Sequence, residues 1–126
     1  MHVYTHYSMI LVVDDDLSIL QLASKILNRD RQVMLASNSK QAFELAEHLG
    51  FSVALVDLDL KGKDGLSLIQ ELRESFPDLP VIAISSVLSG REVEDAMELG
   101  AVEFLQKPIT PGWKAVVERI RATRTG

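Results

Sequence analysis

A chain of 126 residues, 47% hydrophobic and 25% charged, fits one globular domain rather than a disordered segment. Its net charge of −5 argues against direct contact with nucleic acid, because neutralising phosphates takes a basic patch. Cysteine is absent, which excludes disulfides, thiol catalysis and cysteine-built zinc sites, and no apolar run approaches the ~20 residues of a membrane span.

Residues 1–8 have neither a basic start nor an apolar centre, so they read as an N-terminal arm and not as a secretory leader. A cytoplasmic location is the default expectation. The domain occupies 9–126. Within it, short apolar runs alternate with stretches of helical period, the pattern of a parallel sheet with crossover helices. Strands are expected near 9–13, 32–36, 52–56, 80–84 and 102–105, and helices near 17–29, 39–49, 65–75, 90–99 and 111–122.

The first helix carries one apolar stripe, Leu20, Ala23, Ile26 and Leu27. Asp16 stands where it would cap that helix. The second helix carries Ala42, Leu45, Ala46 and Leu49, with Ser39 as its expected N-cap and Gly50 as its left-handed terminator. The third strand is apolar on both faces, as a central parallel strand must be. Gly100 is expected to end the fourth helix. Thr110 and Pro111 are expected to open the fifth, whose stripe includes Trp113, Val116, Val117 and Ile120. Short right-handed crossovers then give an α/β, doubly wound, five-stranded parallel sheet of order 2-1-3-4-5, flavodoxin-like, with helices on both faces. Its switch point falls between strands one and three, flanked by Asp14, Asp15 and Asp57.

The chemistry sits at the strand ends. Ile10 to Val13 is followed by Asp14, Asp15 and Asp16. The third run ends on Asp57, the fourth on Ser85 and Ser86, and the fifth leads to Gln106, Lys107 and Pro108. Parallel neighbouring strands put all these ends on one edge, where open α/β sheets bind ligands. Carboxylates, a hydroxyl and an ammonium meeting there suit a divalent metal and a phosphoryl group. Mg²⁺ is hard, prefers oxygen and usually takes one or two carboxylates plus phosphate. Two like charges 4 Å apart interact by ~4 kcal/mol at an effective dielectric of 20, so the cluster repels itself until a cation arrives.

Taken singly, each element has an ordinary explanation: a helix cap for the aspartate run, a turn for Ser85, an exposed lysine before a rigid turn for Lys107. Taken together, Val12-Val13-Asp14-Asp15, Leu55-Val56-Asp57 with Gly62-Lys63-Asp64-Gly65, Ile84-Ser85 and Lys107-Pro108 resemble the receiver domain of two-component response regulators over residues 9–122. The resemblance implies a phosphoprotein of phosphorelay signal transduction. Asp57 would be the phosphoacceptor. Asp15 would be a direct Mg²⁺ ligand, Asp14 a ligand largely through water, and Asp59 would offer its backbone carbonyl. Ser85 would bond the phosphoryl group and Lys107, ahead of a cis Pro108, would pair with it. Ser85 and Phe104 would form the switch. The same resemblance implies a sensor histidine kinase or phosphotransfer protein as donor, no membrane contact, and a responsive face on helix four, strand five and helix five that controls a partner, an attached output domain or a homodimer.

Four positions depart from the family pattern. Lys61 replaces a usual proline, Lys63 a usual apolar residue, Ser86 a usual alanine or glycine, and Gly112 follows Pro111 where glutamate is commoner. Two rival readings stand beside this one. One is a pseudo-receiver, an interaction module without phosphotransfer. The other is a haloacid-dehalogenase-like phosphatase, suggested by Asp57-Leu58-Asp59 after an apolar strand. Against the phosphatase, its nucleophile strand normally comes first, and this length leaves little room for a cap domain. His2 and His6 lack a helical setting and do not read as a metal site, and His48 reads as a solvated helix residue.

Overall fold

Five apolar segments of four or five residues line up as parallel strands, because residues at both parities of the central ones are apolar and must be covered on both faces. They are β1 (Met9–Val13), β2 (Gln32–Ala36), β3 (Val53–Asp57), β4 (Val81–Ser85) and β5 (Glu103–Gln106). The computed structural model describes residues 9–27, 32–60, 65–86 and 90–122. The arm at 1–8 with His2 and His6, and residues 61–64, which hold Lys61 and most of the Gly62 to Gly65 motif, lie outside the described residues.

The strands pair in the order β2-β1-β3-β4-β5, all parallel, as the sequence predicts. Between them run α1 (Leu17–Leu27), α2 (Ser39–His48), α3 (Gly65–Ser75) and α4 (Gly90–Glu98), and α5 (Trp113–Ala122) closes the chain of elements. The sheet separates two apolar layers. Leu11, Val13, Ala54, Val56, Val81 and Ala83 face α2, α3 and α4. Ile10, Val12, Leu55, Ile82 and Ile84 face α1 and α5, where Trp113 is buried among them. The split follows from the period of two along each strand. β3 and β4 are buried throughout, whereas edge strands β2 and β5 keep exposed or half-buried residues. Among the described residues, no helix is long and apolar enough to cross a membrane.

Helix ends agree with expectation in part. Asp16 caps α1: its Oδ1 accepts from the Ser18 amide at 2.9 Å and the Ser18 hydroxyl at 2.6 Å. The cap of α2 is Asn38, not Ser39. Asn38 Oδ1 accepts from the Gln41 amide at 2.8 Å, and the Gln41 side chain accepts from the Ser37 amide at 2.8 Å. This is a variant of the reciprocal cap signalled by Asn followed three residues later by Gln. At the other end of α2, Leu49 is the cap in extended conformation, and Gly50 does not take the left-handed form. Gly100 does, at φ 119°, and ends α4. α5 starts at Trp113 rather than 111, after a turn in which the Thr110 carbonyl accepts from Trp113 N at 3.0 Å.

Candidate functional site

Register brings the strand ends level. Val13 pairs with Val56, so Asp14 emerges beside Asp57. Asp57 pairs with Ile84, and Ser85 pairs with Gln106, so Lys107 emerges beside Ser85. The Lys107 amide then donates to the Ser85 carbonyl at 2.8 Å, and Leu58 N donates to Ile84 O at 2.8 Å. The Lys107–Pro108 peptide is cis, as the resemblance implies. Behind the loop after β3, α3 begins on Gly65. A Cβ there would collide with the Asp57 carbonyl and lie 2.7 Å from Leu58 Cα, so only glycine lets the helix pass so near the site backbone.

Three of the four buried polar residues among those described gather at this edge: Asp14 at 0%, Asp57 at 1% and Ser85 at 0% exposure. Asp14, Asp15 and Asp57 each present a carboxylate oxygen within 4.8 Å of the others, with Asp15 on the solvent side. Lys107 Nζ lies 2.7 Å from Asp14 Oδ2 and 3.3 Å from Asp57 Oδ2. The ammonium therefore sits between two buried carboxylates. Asp14 Oδ1 accepts from the Asp16 amide at 2.9 Å, while Asp14 Oδ2 faces Lys107 without a well-formed hydrogen bond. Asp57 Oδ1 accepts from the Asp59 amide at 3.1 Å.

Charge accounting gives the site its tension. Burial pushes the Asp57 carboxyl up to about 6; the Asp59 amide pulls it down, the Asp14 charge adds to the rise, and Lys107 offsets part of it. Burial works against the Lys107 ammonium, but its close ion pairing with Asp14 and the charge of Asp57 outweigh it and raise its pKa. One ammonium thus faces two carboxylates in the buried part of the site, with a third at the rim. The excess negative charge, the all-oxygen donor set and the poorly satisfied Asp14 Oδ2 fit a hard divalent cation such as Mg²⁺.

The structure brings Asp14, Asp15, Asp57 and Lys107 into direct proximity and places Ser85 one strand over. It adds one contact absent from the sequence reading. Ser85 Oγ donates to the side chain of Asp59 at 3.4 Å, so Asp59 reaches the site through its exposed carboxylate as well as its backbone. A spacing of 26 positions offers no local signal for it. Phe104 is half-buried against the layer under α2, α3 and α4. It pairs with Ala83, two residues before Ser85, and so shares a sheet face with that hydroxyl.

The profile of the response regulator receiver domain matches residues 10–120, and the chain belongs to that family. It is 36% identical over 121 residues to protein-glutamate methylesterase/protein-glutamine glutaminase 2 of Pseudomonas aeruginosa, covering 90% of this chain and 34% of that one. It is 32% identical over 101 residues to the transcriptional regulatory protein ZraR of Klebsiella oxytoca, covering 79% of this chain and 23% of that one. The chain thus spans about a quarter to a third of the length of these curated relatives. Among solved structures, the receiver domain of NtrX from Brucella abortus superposes with a TM-score of 0.84 at 30% identity, covering 90% of this chain and 98% of that one. A CheY-like receiver domain protein from Methanospirillum hungatei gives 0.84 at 24% identity over 93% of this chain and 98% of that one, which speaks to the fold.

Proposed function

We propose that this receiver domain is a phosphorylation-activated signalling switch whose phosphoacceptor is Asp57. One observation carries the reading: Asp14, Asp15 and Asp57 converge within 4.8 Å at the carboxyl edge of the sheet. Lys107 at the same point, 2.7 Å from Asp14 and 3.3 Å from Asp57, supports it. The family match supports a sensor histidine kinase or phosphotransfer protein as donor, and a cytoplasmic setting.

Asp14, Asp15, Asp57 and the Asp59 backbone carbonyl would hold Mg²⁺. When bound, the ion neutralises charge on the transferring phosphoryl group. A carboxylate oxygen of Asp57 attacks phosphorus, an O–P bond forms, and the N–P bond to the donor imidazole breaks. Lys107 holds a phosphoryl oxygen as a point charge. The new group adds roughly −1.5 to −2 charges. Ser85 turns its hydroxyl from Asp59 to the phosphoryl group, a bond available only in the modified state, and Phe104 follows on the same face. That differential interaction shifts the population toward an altered α4-β5-α5 surface, which acts on a partner, an output domain or a second copy. Water later attacks phosphorus and releases phosphate. The chain works as a switch, with self-phosphorylation from a donor and self-dephosphorylation as its only chemistry.

The test is Mg²⁺-dependent labelling of the chain by a small acyl phosphate. One equivalent of label is expected on the parent with Mg²⁺, and none with chelator or on Asp57→Asn. Label retained on Asp57→Asn would refute the acceptor assignment. No label on the parent would leave an interaction module, and repeated turnover of phosphate esters would indicate a phosphatase.

A further inference from the structure

α4 is held at its C-terminal end by several backbone and side-chain contacts. Gly100 N donates to Met97 O at 3.1 Å and Ala101 N to Ala96 O at 2.9 Å, the two bonds of a Schellman motif. Ala96 and Ala101 are buried, and Val102 N donates to Val81 O at 2.8 Å, tying the turn to the start of β4. Directly under Gly100 runs the side chain of Arg73, from α3. A Cβ on Gly100 would stand 2.7 Å from Arg73 Cγ and 3.1 Å from its Cβ. Beyond that contact, Arg73 Nη1 donates to Pro77 O at 2.9 Å and to Leu79 O. One half-buried side chain therefore joins three segments: α3, the connection from α3 to β4, and the turn from α4 to β5.

The other end of α4 begins at Gly90, shortly after Ser85 on β4. A helix fixed at one end and attached near the switch hydroxyl at the other has one easy motion, a swing about the fixed end. We propose that Arg73 is the pivot of α4, a positioning residue that confines the phosphorylation response to the first turns of the helix. This rests on the reading of α4 as part of the responsive face. Arg73 does two separable things. Its aliphatic stem supports Gly100, whose positive φ and lack of a side chain allow the close approach. Its guanidinium fixes the stem by satisfying two loop carbonyls, and hydrogen bonds from a charged donor are the stronger kind.

The experiment is amide hydrogen exchange with backbone NMR shifts on the full chain, before and after phosphorylation by a small acyl phosphate with Mg²⁺. In the unphosphorylated parent, the amides of Leu99, Gly100 and Ala101 should be protected. Arg73→Ala should speed their exchange by about tenfold or more, the loss expected when a hydrogen bond to a charged group goes. Arg73→Met keeps a stem and should fall between the two, and it serves if the alanine variant does not fold. On phosphorylation, the parent should shift amides at 91–94 while those at 99–101 stay put, and in the Arg73 variants the shifts should spread to 99–101. A purely structural arginine would change exchange without changing how far the shifts travel. The pivot is overturned if shifts in the parent are as large at 99–101 as at 91–94. It is equally overturned if the variants match the parent in exchange, or in the reach of the shifts at equal phosphorylation. Absence of labelling would sink the phosphoacceptor reading, whereas the exchange arm needs no phosphate and judges the Arg73 anchor separately.

Discussion

The two edges of the sheet bury polar groups in opposite ways. At the amino edge, Ser52 is fully buried, and both its amide and its hydroxyl donate to the Met9 carbonyl, at 2.8 and 3.0 Å. A backbone acceptor answers a neutral side chain, and nothing is left over. At the carboxyl edge, two buried carboxylates share one ammonium while a third carboxylate lies at the rim. Burying charge is costly unless it is paired and hydrogen-bonded. One edge is built for stability alone. The other holds electrostatic tension that a cation can relieve, and such tension is what a switch can use.

Substitutions at the two edges should break this contrast in graded fashion. The largest effect falls on Asp57→Asn, which removes a carboxylate oxygen of the proposed phosphoacceptor at nearly constant size. Labelling by a small acyl phosphate should vanish while the circular dichroism spectrum stays that of the parent. Next comes Lys107→Met. Removing one partner of a buried ion pair costs about 3–5 kcal/mol, so in chelator this variant should unfold at distinctly lower urea. Because Mg²⁺ can supply the missing positive charge, its stabilisation by the ion should exceed that of the parent. Equal Mg²⁺ gains in the two proteins would show that Lys107 does not offset the carboxylates.

A smaller effect concerns pH. The folded chain raises the Asp57 carboxyl to about 6, against roughly 3.9 in an unfolded chain. Between those values the folded state binds more protons, so this stabilisation is complete below about pH 4 and is lost as pH rises through 6. In chelator, the parent should therefore lose on the order of 2 kcal/mol between pH 4 and pH 7 from this group. Asp57→Asn should remove that component of the slope, and urea titrations at several pH values would check it. The smallest effect belongs to the amino edge. Ser52→Ala should cost about 1 kcal/mol, and the cost should be the same with and without Mg²⁺. A Mg²⁺-dependent cost there would erase the distinction between the edges.

Much of this could be read from residue order. The strands fall within a residue of expectation because apolar runs in a parallel sheet are covered on both faces and bounded by turn residues. Helix ends were less readable. Ser39 and Asn38 are both competent caps, and the structure uses Asn38, whose side chain accepts from the Gln41 amide while the Gln41 side chain reaches back to Ser37. Gly50 has the residue type of a left-handed terminator, yet the chain leaves α2 through an extended Leu49 and does not need it. Gly100 does take that form, because two capping bonds and the stem of Arg73 leave no room for a side chain.

By itself, the order of residues determined the alternation of strands and helices and the identity of the polar groups at the strand ends. These follow from periodicity and local chemistry, which act over a few residues. Tertiary structure alone decided which of those groups touch. It placed the ammonium of Lys107 between Asp14 and Asp57, turned the Ser85 hydroxyl toward the Asp59 carboxylate, and raised the Asp57 carboxyl. Coulomb energy and desolvation depend on distance through space and on depth below the surface. Neither can be measured along the chain, so they appear only when strand register brings residues 14, 57 and 107 to one edge.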